Sequence, residues 1–214
     1  MGSLGKPVDG PVSRLINRRI SGVITRVILE LGLPVTPNQV SLLSLILSIL
    51  ASLAVVVGSL QAAGILAQSS SIIDGVDGEL ARARGIASRA GGFLDTMIDR
   101  YSDIILYLGV GYYLIQQGAP QGQYAIPLMA VLLALSGDLM VSYLHARGEK
   151  DSGVHPSRIG PLDSIASRDV RILVVAASLL VERPLEGLIL VAGLSHTYVA
   201  VKSAYVYLYL RAKP

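Results

Sequence analysis

Cysteine and tryptophan are absent from the 214 residues, and phenylalanine occurs once. Without cysteine the chain has no disulfide, no zinc–thiolate site and no thiol nucleophile. Charge is scarce as well: 15% of residues are Asp, Glu, Lys or Arg, where soluble domains carry about a quarter. In contrast, 52% are hydrophobic and 5% aromatic, a balance that points to several transmembrane helices rather than a large soluble core. The net charge of +3 is modest, so the placement of the charges matters more than their sum. No nucleic-acid partner is expected.

No cleavable signal peptide is expected, because the first apolar run follows a basic, amphipathic stretch. Residues 1–10 read as a disordered segment or linker. Over residues 11–33, Val12, Leu15, Ile16, Ile20, Val23, Ile24, Val27 and Ile28 fall on one helical face, with Arg14, Arg18, Arg19 and Arg26 off it. That pattern predicts a helix lying in the membrane surface; the competing reading is a helix packed on a soluble core. After the Thr36-Pro37-Asn38 break, residues 37–214 read as one bundle of six spans: 41–60, 60–84, 92–116, 124–145, 171–181 and 184–210. The fifth reaches spanning length only with its flanks. The fold expected is therefore an all-α integral membrane protein, six transmembrane helices preceded by an amphipathic interfacial helix.

The loops at 57–61 and 116–123 contain no Lys or Arg, and the loop between the last two spans contains only Arg183. Nearly all other basic residues fall at the N-terminus, in 82–89, in 147–171, or at Arg211 and Lys213. With an even number of spans these regions share one face, which the positive-inside rule makes cytoplasmic, both termini included. The bilayer expected is the plasma membrane.

Acidic residues cluster at the end of the second span and the start of the third. Asp74 and Asp77 are three apart on one helix, and Asp95 and Asp99 four apart on the next, so each pair projects from one face. A short loop of glycine, alanine and arginine makes the two helices antiparallel neighbours and brings the carboxylates into one pocket. Four carboxylates so close do not all stay ionised without cations, and an all-oxygen set favours Mg²⁺, Mn²⁺ or Ca²⁺ over zinc or copper. Two ions in such a cage suit in-line phosphoryl displacement. Pairing with Arg82, Arg84, Arg89 and Arg100 is the structural alternative.

The run Asp74-x-x-Asp77-Gly78-x-x-Ala81-Arg82, eight residues, then Gly91-x-x-x-Asp95-x-x-x-Asp99 resembles the complete signature of the CDP-alcohol phosphatidyltransferase family. The resemblance implies a Mg²⁺- or Mn²⁺-dependent membrane enzyme holding two ions, in the homodimeric form. It would transfer a phosphoalcohol from a CDP-linked donor to an acceptor hydroxyl and release CMP. It assigns Asp74, Asp77, Asp95 and Asp99 to the metals, with Asp99 also as general base. Asp74, Gly78, Ala81, Arg82 and Gly91 would line the nucleotide. Asp103 continues the same helical face and reads as a structural partner of Arg100 or of the neighbouring basic loop.

The stretch from Tyr143 to Glu149 is similar to the one that supplies basic groups to the acceptor phosphate in members using inositol phosphate. It implies His145 and Arg147 as acceptor ligands, with Lys202 in the last span; Asp138 is the alternative partner for Lys202. Ser167-Arg168-Asp169-Val170-Arg171 also resembles inositol-using members. The stretch from Lys6 to Ser21 looks like the junction entering the membrane domain of bifunctional inositol-phosphate cytidylyltransferase/di-inositol-phosphate phosphate synthases. That implies CDP-inositol as donor, inositol phosphate as acceptor and a compatible solute as product, the chain being a stand-alone synthase or a truncated one. The alternative donor is a CDP-linked lipid, giving phosphatidyl- or archaetidylinositol phosphate in phospholipid biosynthesis. An ion-coupled transporter would place its acids near mid-membrane and show related halves, and neither pattern is present.

Overall fold

The computed structural model describes residues 10–118 and 124–212. The expected linker falls almost wholly outside these residues, as do part of the 116–123 connection and Lys213. The described chain is helical: a π-helical turn over Ser13–Asn17, then α1 (Arg18–Glu30), α2 (Pro37–Val56), α3 (Leu60–Ala83), α4 (Arg89–Gly118), α5 (Ala125–Ser152), α6 (Arg168–Leu180) and α7 (Pro184–Ala212). The seven helices include the surface helix and six that match the expected spans in position. Of these six, α2, α5 and α7 are long and apolar enough to cross a membrane. α6 has 13 residues, about 20 Å of helix, and the site ends of α3 and α4 are charged.

Helix starts follow local chemistry. Thr36 accepts from the Gln39 amide at 3.3 Å, and Gln39 Oε1 accepts from the Thr36 amide at 2.8 Å, a reciprocal cap with Pro37 in the first turn. The turn into α3 passes through Gly58 at φ +81° and the turn out of it through Gly85 at φ +68°, conformations glycine adopts without strain.

Polarity is inverted relative to a water-soluble protein. On α2 the buried residues include Ser41, Ser44, Ser48 and Ser52, while Leu42, Leu43, Ile46, Leu50 and Leu53 face outward. Ser48 and Ser70 share a hydroxyl hydrogen bond of 2.8 Å, Ser70 donates to the Ser44 carbonyl at 2.7 Å, and Ser52 donates to the Ile105 carbonyl at 2.9 Å. Small hydroxyl residues between helices with leucines outside is the packing of a protein solvated by lipid. The same inversion marks the surface helix: Asn17, Ser21 and Thr25 are buried, whereas Leu15, Ile16, Ile20, Val23 and Val27 are exposed. Most of its apolar face is turned away from the bundle, the opposite of a helix packed on a soluble core, while Ile24 and Ile28 at its edge pack inward on Val40, Val76 and Leu80.

Candidate metal centre

α3 and α4 are joined by the loop at 84–88 but are not the directly packed neighbours expected: each lies against α2, and α6 packs on α3, so it is the acidic side chains that meet between them. Asp74, Asp95 and Asp99 each offer an oxygen within 4.8 Å of the others. Asp77 stands next to this trio, in hydrogen-bonding reach of Asp95, as Asp74 is of Asp99. The four acids thus form two cross-helix pairs. Asp77 is held from behind by the Ser41 hydroxyl of α2 and by the Gly78 amide. The Oδ1 of Asp74 is buried and receives no hydrogen bond. Crowded carboxylates with an oxygen left unmet fit a divalent cation with an all-oxygen donor preference.

Two cavities flank the cluster. On the Asp77–Asp95 side a groove of about 450 Å³ is lined by Thr36, Ser41, Gly78, Ala81, Arg82 and Gly91, among others. Here the structure brings together nearly every residue the signature assigns to the nucleotide. A β-carbon on Gly78 would lie 3.1 Å from Arg82 Nη1, so the glycine leaves that guanidinium its place in the groove. The Gly91 amide donates to the Ser88 hydroxyl at 3.1 Å, capping α4. On the Asp74–Asp99 side a smaller cavity of about 220 Å³ is walled by the N-terminal turn, by Arg18 and by Arg168.

The second-half residues are placed differently. Arg147 is 55% exposed and paired with Asp151 at 2.8 Å. His145 contacts the Tyr198 hydroxyl at 3.0 Å and stacks near His155, ring centres 4.5 Å apart. Burial, against the pull of Glu149, holds the His155 imidazole below its ordinary range. Its Nδ1 accepts from the Ser157 amide at 3.2 Å. Lys202 is fully buried and donates to the Ser157 and Ile159 carbonyls at 3.0 and 2.9 Å. Asp138 is therefore not its partner: that carboxylate binds Arg100 at 2.6 Å and Arg171 at 2.7 Å. Lys202 sits instead over the loop after α5, whose open carbonyls offer it a nearer and uncharged cradle. None of the three residues lines either cavity beside the carboxylates.

Two participants were not assigned a role from the sequence. Glu79, wholly buried, accepts from Arg18 at 2.8 Å, Ser21 at 2.7 Å and Thr25 at 2.8 Å, clamping α1 to α3. Arg168 reaches Asp74, Asp99 and Asp103. Asp103 also pairs with Arg100 at 3.1 Å, matching its expected structural part. Glu79 and Arg168 are each one charge among several in their segments, and no spacing distinguishes them.

The profile of CDP-alcohol phosphatidyltransferases matches residues 34–199. The chain belongs to the CDP-alcohol phosphatidyltransferase family. It is 42% identical over 188 residues to the bifunctional IPC transferase and DIPP synthase of Rubrobacter xylanophilus, covering 88% of this chain but 40% of that protein. It is 35% identical over 164 residues to the archaetidylinositol phosphate synthase of Pyrococcus horikoshii, covering 77% of this chain and 79% of that one. In fold it is similar to the phosphatidylinositol phosphate synthase of Mycobacterium tuberculosis with CDP-DAG bound, with a TM-score of 0.71 and 25% identity over 88% of this chain and 94% of that one. Family, inverted polarity and apolar helices together make this an integral membrane protein.

Proposed function

We propose that the chain transfers a phosphoalcohol from a CDP-linked donor to an acceptor hydroxyl with release of CMP, and that the donor is CDP-inositol and the acceptor inositol phosphate. The observation that carries the reaction class is the meeting of four carboxylates from α3 and α4 at the edge of a groove lined by Gly78, Ala81, Arg82 and Gly91. Asp74, Asp77, Asp95 and Asp99 would hold two Mg²⁺ or Mn²⁺ ions. When bound, such ions neutralise the donor diphosphate and the developing charge on the CMP oxygen. Arg82 orients phosphate from the groove wall. Asp99 takes the proton of the attacking hydroxyl as that oxygen bonds to phosphorus and the bond to CMP breaks. The surface helix, six spans, cytoplasmic site and termini, plasma-membrane location and homodimer belong to the same reading. Acceptor binding by His145, Arg147 and Lys202 would require a substrate reaching from the smaller cavity toward the loop after α5.

The inositol donor is supported by the greater identity to the bifunctional synthase, 42% against 35%. A lipid donor has its own support in the likeness to a synthase holding CDP-DAG. Radiolabelled CDP-inositol and CDP-diacylglycerol, supplied separately with inositol phosphate and Mg²⁺, separate the two. CMP release from the first alone is expected; release from the second alone makes the enzyme a lipid synthase, and release from neither ends the inositol assignment.

A further inference from the structure

Arg168, the first residue of α6, puts its guanidinium into the carboxylate cluster. Nη1 stands 3.1 Å from Asp74 Oδ2 and 2.9 Å from Asp99 Oδ1. On the opposite edge, Nε stands 2.9 and 3.2 Å from the two oxygens of Asp103. The Asp103 side chain is 1% exposed and also pairs with Arg100, so that edge is anchored on a group that is itself fixed. The other edge reaches two of the three acids whose oxygens converge.

We propose that Arg168 is a built-in counter-cation of the acidic cage: it holds Asp74 and Asp99 together and competes with divalent metal for their oxygens. This rests on the metal-site reading above. Nη1 stands at ion-pair distance from both oxygens, and Asp99 Oδ1 receives no hydrogen bond, so the competition is one of charge: a positive charge so near raises the cost of placing a second cation there. Only an arginine fork keeps one edge on Asp103 while the other engages two further acids; a lysine is a single point charge. Loading then needs no large movement. The Nη1 edge swings off Asp74 and Asp99 while Nε stays on Asp103. Two consequences follow: the cage without metal depends on Arg168 for its stability, and the loaded cage does not.

The test is Mn²⁺ binding to the purified full chain in detergent, read by electron paramagnetic resonance. It is paired with thermal unfolding in EDTA and in saturating Mn²⁺. Arg168→Gln is expected to bind Mn²⁺ at least about tenfold more tightly than wild type. Its melting temperature should fall in EDTA and return close to the wild-type value with Mn²⁺. Equal or weaker binding by this variant overturns the proposal, as does a deficit in stability that Mn²⁺ leaves unchanged. If Arg168→Gln does not fold, Arg168→Lys decides: binding several-fold tighter than wild type supports competition, and equal or weaker binding overturns it. A wild-type chain that binds no Mn²⁺ overturns the metal-site reading itself, and the competition with it.

Discussion

Asp99 and Glu79 are both acids near a membrane surface, and their surroundings give them opposite work. Asp99 faces Asp74 and borders the smaller cavity, where the proposed reaction would have it receive a proton from the acceptor. Replacing it with Asn should lower CMP release by about 10²- to 10⁴-fold while leaving the gel-filtration profile unchanged; a near wild-type rate would remove it as the base. Glu79 meets three donors, all from α1, and has no path to substrate. Glu79→Ala should cost about 3 kcal/mol or more, because the three hydrogen bonds that its carboxylate accepts from α1 are lost and the buried Ser21 and Thr25 hydroxyls lose their acceptor. Thermal unfolding in detergent would show this as a fall in midpoint, and an unchanged midpoint would mean that the clamp does not bear on stability.

Among the elements, helix positions follow from the apolar runs and their breaks, whereas helix contacts do not. Residues 60–84 were expected to form one helix, and α3 covers Leu60–Ala83. The Thr-Pro-Asn-Gln start of α2 carries its cap in plain view. The inward serine face of α2 was not apparent, because in an apolar run the eye follows leucine, and in lipid leucine points outward. Gly64 makes the same point. A β-carbon there would come within 2.7 Å of the Ala176 carbonyl oxygen, so α3 and α6 touch through a missing side chain. Gly64→Val should destabilise the bundle by about 1–3 kcal/mol, while Ile65→Val, on an exposed position, should be nearly neutral. Equal midpoints for the two variants in detergent would overturn the close contact.

For the molecule as a whole, dependence on metal and sidedness are the testable properties. EDTA should abolish CMP release, and Mg²⁺ or Mn²⁺ should restore it; full activity in EDTA would separate the acids from the chemistry. The absence of cysteine allows single cysteines to report orientation without background. Arg183 lies in the turn before α7 and Arg158 in the loop before α6, both exposed. In right-side-out vesicles an impermeant maleimide should label Arg183→Cys directly and Arg158→Cys only after permeabilisation, and the reverse pattern would invert the topology.

Composition, apolar runs and the spacing of Asp74, Asp77, Asp95 and Asp99 were enough to specify a helical membrane protein and one pocket for the four acids, and the resemblance of the whole signature pointed to the family. These are local properties, set by period and by the solvent each side chain prefers. That α3 and α4 each pack on α2 rather than on one another was not legible. Nor were the partners of the buried charges. Asp138 chose Arg100 and Arg171 over Lys202, and Arg168 reached the cage across 65 residues of chain to Asp103. A charge in a low-dielectric interior takes the nearest group that can satisfy it. Which group is nearest is a fact about packed helices, absent from the order of residues along any one of them.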